Sequence, residues 1–213
     1  RYPAGHPELA LSLNNLAGTL SDLGRHEEAL GLHGEALAMR RRLYPAARFP
    51  NGHADLAQSV ENTGKALLAA GRPADAADQF RNAVAMQRKL APDGHADLAR
   101  SLNELGAALQ RGGRPADALS LFREALELDR RLYPAAHHRD GHPSLAVAMS
   151  NLAGALDVTD RPDLALPLER AALAMHARLM RTEAVTVSEE AAFDRATVEP
   201  RFLHYFLSVS GRV

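Results

Sequence analysis

The chain of 213 residues has no cysteine, no tryptophan and no isoleucine. Without cysteine there is no disulfide, no thiolate nucleophile and no cysteine-ligated zinc, and the redox compartment leaves no mark. Valine and the aromatics are scarce beside Ala, Leu, Arg and Glu, a balance that favours helices over sheets. Charge of one sign is lacking too: 25 Lys and Arg against 26 Asp and Glu leave −1. No global field steers the chain to nucleic acid or an anionic membrane. No apolar run approaches the ~18–20 residues of a membrane span, and no basic-then-apolar leader opens the chain. Cytoplasmic residence is the expectation that follows. Because the first residue is Arg1, the chain is expected to be a piece of something longer.

What the chain does have is repetition. His6, His53, His95 and His142 each open the same phrase, ending three residues later in Leu9, Leu56, Leu98 and Leu145, and lie 47, 42 and 47 residues apart. At shared offsets stand Leu20, Leu67, Leu109 and Leu156, then Ala29, Ala76, Ala118 and Ala165, then Ala36, Ala83, Ala125 and Ala172. Internal repeats of this period indicate a solenoid. Within a copy the apolar period is helical: Leu9, Leu13, Leu16 and Leu20 form a stripe expected to be core. Breakers follow at Gly24, Gly71, Gly113 and Asp160, with Pro73, Pro115 and Pro162 opening the next helix. Second helices end near Pro45, Pro92 and Pro134. Each copy is thus an antiparallel helix pair, with expected boundaries of 6–45, 53–92, 95–134 and 142–181. Both 47-residue spacings carry a five-residue insertion, lying within residues 46–52 and 135–141, stretches expected to be solvated linkers on one edge of the stack.

The pattern resembles the tetratricopeptide repeat over roughly residues 6–181. The family's small first-helix residue falls on Ala17, Gly64, Gly106 and Ala153, and its second-helix alanine on Ala29, Ala76, Ala118 and Ala165. Its large apolar residue four later is met by Phe80 and Phe122, while His33 and Glu169 depart from it. Unit length and the run from Leu13 to Ala17 are similar to the long kinesin-light-chain variety. The linkers are closer to bacterial arrays that stand beside caspase-like CHAT peptidase or nucleotide-binding switch domains. The resemblance implies an all-α, right-handed α-solenoid of four antiparallel helix pairs. Residues 182–213, where the register is lost, are expected to form capping helices or a connector to a further domain. Ser188 reads there as the N-cap of a new helix, and Pro200 as the start of an apolar one.

Chemistry is hard to find. No phosphate-cradling glycine loop with Lys and Ser/Thr, no G-x-S-x-G elbow and no H-E-x-x-H is present. An enzyme is the least supported class, and no cofactor is implied. Glu27, Glu28, Asp75, Asp117 and Asp163 fall in first turns of second helices, where they complement the helix dipole. Arg40, Arg41, Arg42, Arg88, Lys89, Arg130 and Arg131 sit at second-helix C-termini; as an anion-binding strip they would face along one edge. The repeated histidines stand roughly a helix-pair width of 10 Å apart, whereas zinc ligands lie ~2 Å from one ion. They read as helix-start residues bonding nearby backbone, and the cluster of His137, His138, Asp140 and His142 as linker, so no metal is expected.

What survives is a groove. The resemblance implies that first helices line a concave face that takes extended peptides or helices. With the Leu stripe as core, the stripe five, eight, twelve and fifteen residues after each His is expected to face it. It comprises Leu11, Asn14, Gly18 and Ser21; Gln58, Glu61, Lys65 and Leu68; Arg100, Asn103, Ala107 and Gln110; Val147, Ser150, Gly154 and Asp157. Small residues admit a backbone, and Asn and Gln offer donors and acceptors to its amides. At the Asn positions, groove contact and pairing between helices both stay open, and the mixed charges predict no strong ligand charge. The expected function is a non-catalytic protein-interaction scaffold binding a peptide, a partner or a segment of its own parent protein. The alternative is a regulatory arm whose peptidase or ATPase effector lies elsewhere; self-association through a terminal face is a weaker third.

Overall fold

The computed structural model describes residues 5–190, with side chains through residue 181. Eight helices follow one another: α1 (Pro7–Asp22), α2 (His26–Leu43), α3 (Ala54–Ala69), α4 (Pro73–Leu90), α5 (Ala96–Arg111), α6 (Pro115–Leu132), α7 (Pro143–Val158) and α8 (Pro162–Glu190). Each packs on its predecessor, so four helix pairs stack in order as an α-solenoid.

Local chemistry sets the boundaries. Every first helix is capped by its histidine: Nδ1 of His6, His53, His95 and His142 accepts the backbone N–H two residues on, at 3.1–3.2 Å. The acceptor nitrogen must be unprotonated, so the ring is neutral with its proton on Nε2. Each first helix ends in a return bond, from the Arg25, Arg72, Arg114 and Arg161 N–H groups to the carbonyls of Leu20, Leu67, Leu109 and Leu156 at 2.8–2.9 Å. The intervening residue is left-handed, and Asp160 holds that conformation (φ 58°) without being glycine. The acids of the second helices' first turns also hold the arginine before them: Glu28 with Arg25, Asp75 with Arg72 and Asp117 with Arg114, at 2.6–2.7 Å.

The Leu stripe is core in three copies of four. Leu98, Leu102, Leu105 and Leu109 of α5 are at most 6% exposed, but Leu9 and Leu16 of α1 are 50% and 52% exposed. These positions are covered by the second helix of the preceding pair, and no described helix precedes α1. The same loss shows at the other end, where Leu173 of α8 is half exposed while its equivalents Leu37, Val84 and Leu126 are buried. Two further expectations change. Helix α8 runs unbroken past Arg181 to Glu190, so Ser188 lies inside a helix, because no glycine or proline follows Pro167 within it. The capping helices expected over the remainder, with Pro200 among them, lie outside the described residues. The insertions are folded corners. Tyr44 stacks on His53 at 3.7 Å with Phe49 edge-on, and Tyr133 stacks on His142 at 3.5 Å with His138 edge-on. Burial, and then the neighbouring His138, holds the His142 pKa below its ordinary value, in keeping with a neutral cap.

Two packing rules were hidden in the repeat. Where a second helix carries Phe80 or Phe122, the facing residue is Gly64 or Gly106, and a Cβ there would lie 2.8 or 2.5 Å from the ring. Where it carries His33 or Glu169, the facing residue is Ala17 or Ala153. The position 34 residues after each His is buried and polar in the first three copies, as Arg40, Gln87 and Asp129. Arg40 donates to the Asp55 carbonyl and to Gln58 Oε1 at 3.4 Å. Gln87 lies 3.5 Å from Glu61. Asp129, 1% exposed, has no hydrogen bond to either oxygen, and burial pushes its pKa up to about 6.

Gly106→Ala is expected to destabilise the array by about 1–3 kcal/mol through overpacking, and Phe122→Leu in the same chain to recover much of it. Urea melts of the two single variants and the double variant would show additive losses if ring and glycine were not coupled. Asp129 binds a proton more tightly in the folded chain, so its stabilising contribution is present below its unfolded pKa near 4 and is lost as pH rises to about 6. Asp129→Asn should raise the melting temperature at pH 7.5, by about 1–3 kcal/mol in stability, and leave it little changed at pH 4. Parallel curves for parent and variant across pH 4–7 would count against a buried, uncompensated carboxylate.

Candidate functional site

The backbones of successive first helices come close, α1 to α3, α3 to α5 and α5 to α7, whereas among the described residues no two second helices approach that closely. The first helices therefore form the inner side of the stack and the second helices its splayed outer side. Along that inner side the open positions fall five, nine, twelve and sixteen residues after each His. In α3 they are Gln58, Asn62, Lys65 and Ala69; in α5 they are Arg100, Glu104, Ala107 and Arg111. In α7 they are Val147, Asn151, Gly154 and Val158.

Relative to the expected stripe, the second and fourth members are displaced by one residue. Asn14 is 6% exposed and bridges helices: its Nδ2 donates to Ser59 Oγ at 3.0 Å, and its Oδ1 lies 2.8 Å from His33 Nδ1. Because that oxygen can only accept, His33 Nδ1 donates, and burial depresses its pKa. Glu61 is 1% exposed and accepts from Ser101 Oγ and from Arg100 Nη2, the latter at 3.0 Å. Neither Asn14 nor Glu61 faces the open surface. A polar residue eight positions after the His turns toward the next pair, where Ser59 or Ser101 meets it. In the third copy the partner position is Ala148, and half-buried Asn103 accepts instead from Asn151 Nδ2 at 3.2 Å while donating to the Ala99 carbonyl.

The other expected residues stay on or near the inner surface. Gln58 and Arg100 are exposed, Arg100 being shared between Glu61 and Asp97. Partial burial opposes its charge, but these carboxylates outweigh that and raise its pKa. Lys65 is exposed and reaches Glu104 of the next helix at 3.5 Å. Gln110 and Ser150 are half-buried and Asp157 is exposed. Asn62, Ala69, Glu104, Arg111, Asn151 and Val158 lie on this side without belonging to the expected stripe. The leucine period alone does not decide it: at about 100° per residue, positions eight and nine lie equally far from the centre of a stripe at three, seven, ten and fourteen. Among the described residues no three His, Asp or Glu side chains gather to hold a metal. No described helix is long and apolar enough to cross a membrane.

Residues 9–51 and 55–131 each match a tetratricopeptide repeat family model. No curated protein matches the chain in sequence. Among solved structures, it is similar to the nearly identical TPR-like repeats of a Podosopora anserina kinesin light chain, at 24% identity and a TM-score of 0.67, covering 81% of this chain and 77% of that one. A variant of the same repeats matches at 22% identity and a TM-score of 0.68, covering 83% and 78%. BtubC (BKLC) from P. vanneervenii matches at 15% identity and a TM-score of 0.69, covering 93% and 72%. At these identities the structures speak for the fold. With the repeat signature matched over more than half its length, and its helix pairs stacked as in those arrays, the chain belongs to the tetratricopeptide repeat family.

Proposed function

We propose that the array is a protein-interaction scaffold whose inner face holds a segment of a partner polypeptide along the first helices. The observation that carries this reading is the stripe itself. Exposed Gln58, Lys65 and Arg100 and half-buried Ala107, Asn151 and Gly154 share this side of three neighbouring helices whose backbones come close. Ala107 and Gly154 leave room for a backbone, and Gln58 and Asn151 present amide groups that can both donate and accept to it. Lys65 and Glu104, and Asn103 and Asn151, pair across the seams, and Arg100 is held by Glu61 and Asp97, so most of the charge on this face is compensated and these polar groups are held in place. Such a surface favours an extended, uncharged stretch over an acidic or basic one. The caspase-like or ATPase effector of the alternative reading would use this face in the same way, with a segment of the parent protein as ligand.

Lys65→Glu combined with Gly154→Arg is expected to abolish capture of a partner from lysate while moving the melting temperature by no more than about 2 °C, since both positions are open. Mass spectrometry of paired pulldowns would identify a partner present with the parent array and absent with the variant. Equal capture by both proteins would overturn the assignment of this face.

A further inference from the structure

The second helices splay apart on the outer side, and between α2 and α4 the splay leaves a cavity of about 550 Å³. Leu56 and Val60 of α3 line it together with Met86 of α4 and Phe49 of the folded corner. Arg41, from the end of α2, and Lys89, from the end of α4, also line it, and the lining contains no carboxylate. Both cations are exposed, and neither is held in an ion pair among the described residues.

The next seam shows what such a cation takes. The counterpart of Arg41 there is Arg88, and the residue facing it from the following second helix is Glu124. Arg88 Nη2 donates to both carboxylate oxygens, at 2.7 and 2.8 Å, and the ion pair ties α4 to α6. At the first seam the position of Glu124 is occupied by Asn82, which lines the cavity with Arg41. One amide in place of one carboxylate leaves the wedge untied and its arginine without a counterion. At the third seam the position is Ala171, and Arg130 pairs within its own helix with Glu127. Arginine so placed prefers a planar, bidentate anion. The volume lies within the ~300–1,000 Å³ of ordinary small-molecule sites.

We propose that this cavity binds a small organic carboxylate. Its apolar body lies on Leu56, Val60 and Met86, and its carboxylate sits beside Arg41 and Lys89, in the place that Glu124 fills at the next seam. Asn82 and Asn51 supply amide donors around it. The site is separate from the inner face and stands or falls independently of the partner reading.

The test is a titration of the whole array with naphthalene-2-carboxylate, followed by ¹⁵N NMR, with naphthalene-2-carboxamide as the uncharged counterpart. The acid is expected to shift the side-chain amides of Asn51 and Asn82 and the backbone amide of Gly52, and to bind about tenfold or more tightly than the amide. Asn82→Glu rebuilds the tie seen between Arg88 and Glu124, and should weaken the acid about tenfold while preserving the melting temperature. Arg41→Gln with Lys89→Gln, at two exposed positions, provides the same loss by a route that leaves the core untouched. Equal binding of acid and amide, shifts confined to the open leucines of α1, no shifts at all, or unchanged affinity in the charge variants would each overturn the site.

Discussion

Everything in this array depends on the seam where the first helix of one pair lies under the second helix of the pair before it. A single helix pair has two apolar faces and can bury only one against itself. Val60, Leu102 and Met149 become core only through a neighbour, and the two ends show the consequence in Leu9, Leu16 and Leu173. A buried leucine contributes roughly 1.5–3 kcal/mol relative to an exposed one, so each seam supplies several such contributions at once. The alanines at shared offsets let backbones come close enough for this. Ala76, Ala83, Ala118 and Ala125 have no exposed surface at all.

Apolar burial alone would let any pair stack on any other, because the leucines are interchangeable. The polar residues inside the seams are not. Asn14 with Ser59 and His33, and Glu61 with Ser101 and Arg100, satisfy one another only in the order in which the chain presents them. Exchanging neighbours would bury amides and carboxylates without partners, which is far more costly than exchanging one leucine for another. The third seam is the exception that shows the rule at work. With Ala148 where serine stood and Val147 where arginine stood, Asp129 is enclosed and unpartnered.

The fold was legible because each of its determinants is local and repeated four times. The capping histidines, the left-handed turns, the proline starts and the leucine period all point to the same helix pairs. Less legible was the rotation of each first helix about its axis. The flanking stripe was placed by spacing alone, and a shift of one residue, about 100° on a helix, moved Asn14 and Glu61 from the surface into the seam. A second gap came from reading single residues against a family pattern. His33 departs from that pattern but is matched by Ala17 opposite it, and Gly64 is small because the Phe80 ring occupies the place of a Cβ. The linkers failed differently: Phe49 and His138 occupy equivalent places in two corners, but only three-dimensional contact shows that both pack edge-on against a capping histidine.

The same curvature explains why the two sides of the stack are suited to different tasks. Where first helices converge, side chains from neighbouring repeats reach one another, and Lys65 with Glu104 or Asn103 with Asn151 build a continuous, electrically balanced face. Where second helices diverge, each seam opens a wedge of its own, and its character rests on the residue 29 positions after the His. Glu124 closes one wedge with an ion pair, while Asn82 leaves another open. A repeat protein can thus alter one outer wedge by a single substitution without disturbing the inner face, because the two surfaces share a backbone but no side chains.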